Sequence, residues 1–208
     1  IGDVNGDGRP DLYLTGNMVS SRLYLNEGNL RFRDVTEAAG VATEGWATGT
    51  TFVDVNHDGH LDIYVSRAGA PGTPPDERAN RLFVNQGTSG VGPEQVPTFE
   101  ERAAQYGVAD TSYSTQAAFF DYDKDGDLDL YVLNHSMDME QPNRPRPITT
   151  DGSGYGNDRL YENNDGTFSD VTREAGIVYP GMGLGVAIND LNGDGWEDIY
   201  VANDFLAN

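Results

Sequence analysis

The chain has 208 residues, 34 of them acidic against 13 basic, and a formal charge of −21 with its three histidines neutral. Phosphate contacts need clustered Lys and Arg, and here one lysine, Lys124, stands among dispersed arginines, so nucleic acid is excluded as a partner. No apolar run reaches the roughly 18 residues of a membrane span, and 10 % aromatic residues argue against a solvated acidic tail.

Aspartate outnumbers glutamate 23 to 11, beside 16 asparagines, a bias that favours turns and hard-cation sites over solvated helices. The absence of cysteine excludes disulfides, thiolate metal sites and a cysteine nucleophile, and leaves the compartment open. With no initiator Met and no signal-peptide pattern, the chain reads as cut from something longer.

In chain order, the first feature is Asp3-Val-Asn-Gly-Asp-Gly-Arg-Pro-Asp11, which leads into a strand at Leu12-Tyr13-Leu14. Further strands are expected at Leu23-Tyr24-Leu25-Asn26 and from Phe32, and Asp34-Val-Thr-Glu-Ala-Ala-Gly40 reads as a helical turn closed by its glycine. A strand at 50–53 enters a second loop, Asp54-Val-Asn-His-Asp-Gly-His-Leu-Asp62, and strands follow at Ile63–Val65, Leu82–Asn85 and from Phe99. The pattern recurs with a strand at 117–120, Asp121-Tyr-Asp-Lys-Asp-Gly-Asp-Leu-Asp129, and strands at Leu130–Val132, Leu160–Asn163 and from Phe168. A second helical turn is expected at Asp170–Gly176. A strand at 186–189 then enters Asp190-Leu-Asn-Gly-Asp-Gly-Trp-Glu-Asp198, and Ile199-Tyr200-Val201 leaves it.

The first aspartates are 51, 67 and 69 residues apart, yet Phe32, Phe99 and Phe168 each precede the next loop by 22. All the length variation therefore falls in connections, with insertions at 66–80, 86–97 and 135–157. Four short strands per repeated unit of this size imply an all-β fold, a β-propeller of four-stranded blades rather than a sandwich or β-solenoid. The blades read as 1–40 lacking its first strand, 41–107, 108–176, and 177–208 with two strands, an incomplete arc with blades expected on both sides.

The loop pattern has a specific chemical reading. Positions 1, 3, 5 and 9 supply side-chain oxygens, position 7 a backbone carbonyl, and the position-6 glycine takes a left-handed turn around an ion. The expected ligands are Asp3, Asn5, Asp7, Arg9 and Asp11; Asp54, Asn56, Asp58, His60 and Asp62; Asp121, Asp123, Asp125, Asp127 and Asp129; and Asp190, Asn192, Asp194, Trp196 and Asp198. An all-oxygen shell selects Ca²⁺, about four ions in this chain. An EF-hand needs Glu at position 12, where Leu14, Val65, Val132 and Val201 stand, so the loops join strands.

These loops with their Tyr-bearing strands resemble FG-GAP/VCBS repeats, the blades of integrin-α-type propellers. The Phe-x-Asp-Val-Thr-x-x-Ala-Gly segments are similar to those of the ASPIC/UnbV and cartilage-acidic-protein group, a likeness that departs at Phe99-Glu-Glu-Arg-Ala-Ala104 and in the insertions. The resemblance implies a seven-bladed calcium propeller, secreted, cell-surface or periplasmic, used for recognition or cell adhesion. Its partner would be a protein or glycan ligand.

Tyr13, Tyr64, Tyr131 and Tyr200 read as core, and Trp46, Tyr113 and Met182 as caps of the blades. His57 and His60 share a loop and read as loop residues rather than as a zinc site, and His135 reads as a surface residue. Segment 135–157, with Pro142, Pro145 and Pro147, reads as a contact loop or an unstructured excursion; with 86–97 it is the expected partner surface. Asn134-His-Ser136 matches a glycosylation sequon. No nucleophile elbow, zinc-protease helix or paired-carboxylate site stands out. The alternatives to a recognition module are a calcium-dependent polysaccharide-active enzyme, with its chemistry elsewhere, and a subunit of an extracellular self-assembly.

Overall fold

The computed structural model describes residues 1–89, 95–135, 150–154 and 156–204. Three strands, β1 (Leu12–Leu14), β2 (Arg22–Gly28) and β3 (Arg31–Asp34), form a first antiparallel sheet, followed by the short helix α1 (Thr36–Ala39). A second sheet holds β4 (Trp46–Val53), β5 (Asp62–Ala68), β6 (Arg81–Ser89) and β7 (Val96–Glu101) in that order, with a 3₁₀ turn at Pro75–Arg78, and leads to α2 (Ala103–Tyr106). A third is β8 (Ser114–Phe120), β9 (Asp129–Asn134), β10 (Arg159–Asn164) and β11 (Thr167–Asp170), and β12 (Gly183–Asn189) pairs with β13 (Asp198–Asn203). Consecutive antiparallel sheets of this form make the chain an arc of a β-propeller.

Each sheet buries its faces against its neighbours, so the core lies in the seams. Val4, Tyr13, Leu23 and Leu25 of the first unit pack on Ile63, Val65 and Phe83 of the second sheet. Tyr64, Leu82 and Val84 pack on Ala117, Leu130, Val132 and Phe168 of the third, and Tyr131, Leu133 and Leu160 on Val186, Ile188 and Val201 of the fourth. Strands covered on both faces read as continuous apolar runs, which is why β5 and β9 show little alternation. Tyr13, Tyr64 and Tyr131 are buried as expected, whereas Tyr200 is 50 % exposed, because no further sheet covers β13 among the described residues.

The innermost strands start earlier than their apolar residues suggest: β4 at Trp46, β8 at Ser114 and β12 at Gly183. Their early residues are small and polar because adjacent innermost strands lie side by side. Thr48 and Thr51 donate to the carbonyls of Ser114 and Ala117, both at 2.7 Å, and a Cβ on Gly49 would stand 2.6 Å from the Thr115 carbonyl oxygen.

The helical turns stitch neighbouring sheets, α1 against β7 and α2 against β11. Helix α2 forms where the Asp-Val-Thr pattern is absent, and the structure shows how. In the first unit Asp34 accepts from the Thr36 N–H, and Thr36 Oγ1 accepts from the Leu23 N–H at 2.9 Å. In the second, the longer Glu101 accepts from both Ala103 (2.9 Å) and Leu82 (3.4 Å), so one side chain covers both tasks. The turn expected at Asp170–Gly176 is non-helical over 172–176, and no fourth outer strand packs on it among the described residues.

Gly107 and Gly176 both have left-handed backbones, at φ 81° and 77°, but a Cβ at Gly107 would meet the Phe168 carbonyl oxygen at 2.7 Å while one at Gly176 meets nothing. Alanine at Gly176 is expected to cost about 1 kcal/mol of backbone strain, and at Gly107 about 2–4 kcal/mol. Equal shifts of the two urea midpoints would contradict this reading of the seam.

Candidate metal loops

The four loops share one backbone plan, and hydrogen bonds to their own aspartates set it. In the first, Asp3 accepts from the N–H groups of Gly6 (2.8 Å), Asp7 (3.2 Å) and Gly8 (2.7 Å), and Asp7 accepts from Arg9. Asp190 accepts likewise from Gly193, Asp194 and Gly195, and Asp194 from Trp196. The position-6 glycines, Gly8, Gly59, Gly126 and Gly195, all have positive φ, as the turn requires. Position 4 is left-handed as well, at Gly6, His57, Lys124 and Gly193. The aligned glycines Gly6 and Gly193 carried that signal in the sequence, hidden by the histidine and lysine between them.

The position-9 aspartates of the first three loops lock loop to sheet, while Asp198 of the fourth accepts from the Leu191 N–H of its own loop. Asp62 is fully buried; one carboxylate oxygen accepts from the Val55 N–H (2.9 Å) and the other from the Asn85 N–H (2.8 Å). Asp11 does the same with Val4 and Asn26, and Asp129 with Tyr122 and Asn163. Burial away from water pushes the carboxyls of Asp62 and Asp129 up to about 6, against the opposing pull of those N–H donors. Asn26, Asn85 and Asn163 clamp the other side: their amides donate to the carbonyls of Pro10, Leu61 and Leu128.

The third loop differs. In the other three, the position-3 asparagine donates from its amide to the position-5 aspartate, as Asn56 does to Asp58 at 2.9 Å. Asp123 has no such hydrogen to offer, so the acids converge without a neutralising donor. Carboxylate oxygens of Asp121, Asp123 and Asp129 all lie within 4.8 Å of one another, and Asp121 Oδ1 is buried with no hydrogen-bond partner. An orphaned anionic oxygen facing two further carboxylates fits a hard divalent cation. Asp125 accepts from the Asp127 N–H, and the Asp127 carboxylate lies 3.6 Å from His57 Nδ1 of the preceding loop. Lys124 crosses to the fourth loop, donating to the Gly195 carbonyl with its ammonium 4.2 Å above the Trp196 ring.

At the other end of the sheets, three side chains at one aligned position hold the end of the second strand. Ser21, Asn80 and Asp158 accept from the N–H groups of Gly16 (3.2 Å), Arg67 (2.7 Å) and Asn134 (2.7 Å). Insertion 66–80 is tied down by buried arginines: Arg67 donates to the carbonyls of Ala79 and Glu44, and Arg78 to those of Thr111 and Thr73. Of insertion 86–97 the described part continues the pairing of β6 with β7, Thr88 opposite Pro97 and Ser89 opposite Val96, while 90–94 lie outside the described residues; most of 135–157, including Pro142, Pro145 and Pro147, also lies outside them. Asn134 is fully buried with its amide on the Asn157 carbonyl at 2.8 Å, so the sequon is closed to glycosylation in the folded chain. His135, expected at the surface, is partly buried, and its N–H donates to the Tyr113 carbonyl.

No helix among the described residues is long and apolar enough to cross a membrane. Mouse phosphatidylinositol-glycan-specific phospholipase D is 27 % identical over 192 residues, covering 89 % of this chain and 21 % of that protein. Xenopus tropicalis cartilage acidic protein 1 is 23 % identical over 204 residues, covering 98 % of this chain and 28 % of that protein. The chain thus spans less than a third of the length of either relative. The FG-GAP-like repeat family matches residues 3–65 and 148–201, more than half of the chain. On the repeated loops, the sheet order and that match, the chain belongs to the FG-GAP-like repeat family.

Proposed function

We propose that this chain is part of a calcium-stabilised recognition propeller that works outside the cytoplasm, where calcium is abundant enough to fill exposed loops. The orphaned Asp121 Oδ1 beside Asp123 and Asp129 carries the reading. Asp3, Asn5, Asp7 and Asp11 would hold one ion, with the carbonyl of Arg9, and the residues aligned with them in the other three loops would do the same. Bound calcium supplies positive charge that neutralises the converging carboxylates. The chain's own part is to fix the oxygens, through the N–H groups that hold positions 1, 3 and 5 and, in the first three loops, the buried position-9 aspartate that joins loop to sheet. The role is structural: the ion sits where the first and second strands of a blade meet. Blades divide after Gly40, Gly107 and Gly176, and the partner surface lies on the long connections, with a protein or glycan as ligand.

Four carboxylates make the third loop the most metal-dependent, since without an ion they repel one another most. Thermal unfolding in calcium, magnesium and EGTA tests the reading. Each filled site adds about 2.7 kcal/mol when free calcium is a hundredfold above its Kd, so calcium is expected to raise the midpoint well above both other conditions. Hydrogen exchange in EGTA should open 115–134 first. Identical midpoints in calcium and EGTA would overturn the proposal.

A further inference from the structure

One position in the repeat recurs in two states. Tyr113, just before β8, is 8 % exposed, and the guanidinium carbon of Arg78 sits 4.3 Å from its ring centroid. Arg78 comes from the connection that precedes the third strand of the neighbouring sheet, four residues before Leu82. In the preceding unit the aligned aromatic is Trp46 and the residue four before Leu23 is Val19. The connection there is short and brings no cation. Trp46 stays 41 % exposed and Val19 72 % exposed, and they border a cleft of about 600 Å³ with Thr15, Asn17, Thr48 and Thr115.

We propose that the cleft beside Trp46 receives an arginine side chain of a partner protein, in the place that Arg78 fills from within the chain at Tyr113. Indole is the strongest of the aromatic cation acceptors. The chain's formal charge of −21, still strongly negative after four Ca²⁺ ions add eight positive charges, attracts a basic segment and steers it to the surface. Glu44, two residues before Trp46, is exposed and its carboxylate has no ion-pair partner among the described residues. The nearby guanidinium of Arg67, engaged with the Glu44 and Ala79 carbonyls, lies outside the cleft lining. Thr15, Asn17, Thr48 and Thr115 surround the opening with groups that accept hydrogen bonds from a guanidinium. This inference concerns the face opposite the metal loops and stands whether or not those loops hold calcium.

The test uses the full-length protein in calcium, with acetyl-Gly-Arg-Gly-amide as probe and its citrulline counterpart as the neutral isostere. The indole N–H resonance of Trp46, assigned by its loss in Trp46→Phe, is followed by NMR. The arginine peptide is expected to shift it, and the citrulline peptide to bind at least tenfold more weakly. Val19→Arg should place a guanidinium over Trp46 within the chain and abolish the response, and Trp46→Leu should abolish binding by removing the ring while keeping apolar bulk. Binding that survives in Trp46→Leu would overturn the proposal. So would equal responses to the two peptides, no shift at all, or a shift produced by a neutral methyl glycoside in place of arginine.

Discussion

Replacing Asp62 by alanine is expected to cost about 5 kcal/mol in saturating calcium and only about 2 kcal/mol in chelator. The carboxylate is fully buried and accepts from two N–H groups, Val55 in the loop and Asn85 in β6. Removing it strands both donors, at roughly 1–3 kcal/mol each. It also deletes an ion ligand, which in calcium forfeits roughly 2.7 kcal/mol more. In chelator the substitution brings a gain as well, because burial holds the carboxyl near 6 and an unneutralised charge there is costly at neutral pH. Asp62→Asn keeps one acceptor and should fall between the two. Urea unfolding of the variant at fixed free calcium and in EGTA gives the comparison. Equal losses in both conditions would mean that Asp62 is only a hydrogen-bond hub.

Asp158→Asn is expected to do the opposite and stabilise the chain at neutral pH. Asp158 accepts from the Tyr131 hydroxyl (2.6 Å) and the Asn134 N–H (2.7 Å), is 7 % exposed, and is pushed up to about 6 by burial. Because the folded carboxyl binds its proton more tightly than the unfolded one, its contribution is complete below about 3.8 and is lost as the pH rises through about 6. The loss reaches about 3 kcal/mol, since each tenfold difference in proton affinity between the folded and unfolded chain is worth about 1.36 kcal/mol. Asn80 shows that asparagine fits the same place: its amide donates to the Tyr64 hydroxyl at 3.0 Å and its oxygen accepts from the Arg67 N–H. The advantage of Asp158→Asn should therefore grow between pH 4 and 7 and approach zero at the acid end. A constant difference across that range would show that Asp158 keeps its ordinary affinity for protons when folded.

The sequence made the arc and its loops readable because the same physics is written four times. Each Asp-x-[Asp/Asn]-x-Asp-Gly-x-x-Asp is a turn problem solved with the same residues, and Leu82 or Leu160 marks a strand whatever lies before it. Roles filled by different residues were opaque. Ser21, Asn80 and Asp158 do one job with a hydroxyl, an amide and a carboxylate. Position 4 hid its left-handed backbone because His57 and Lys124 have no preference for it. Glu101 replaced an Asp and a Thr by reach alone. Trp46 and Tyr113 look equivalent, yet only the second is covered, by an arginine 35 residues upstream of it that no local pattern marks.

Crystals grown in calcium test most directly whether these loops are calcium sites. An anomalous difference map is expected to show four peaks, one within each of the loops at 3–11, 54–62, 121–129 and 190–198, and the highest occupancy beside Asp121, Asp123 and Asp129. Fewer than three peaks, or peaks lying away from the position-1, position-3 and position-5 oxygens, would contradict that assignment.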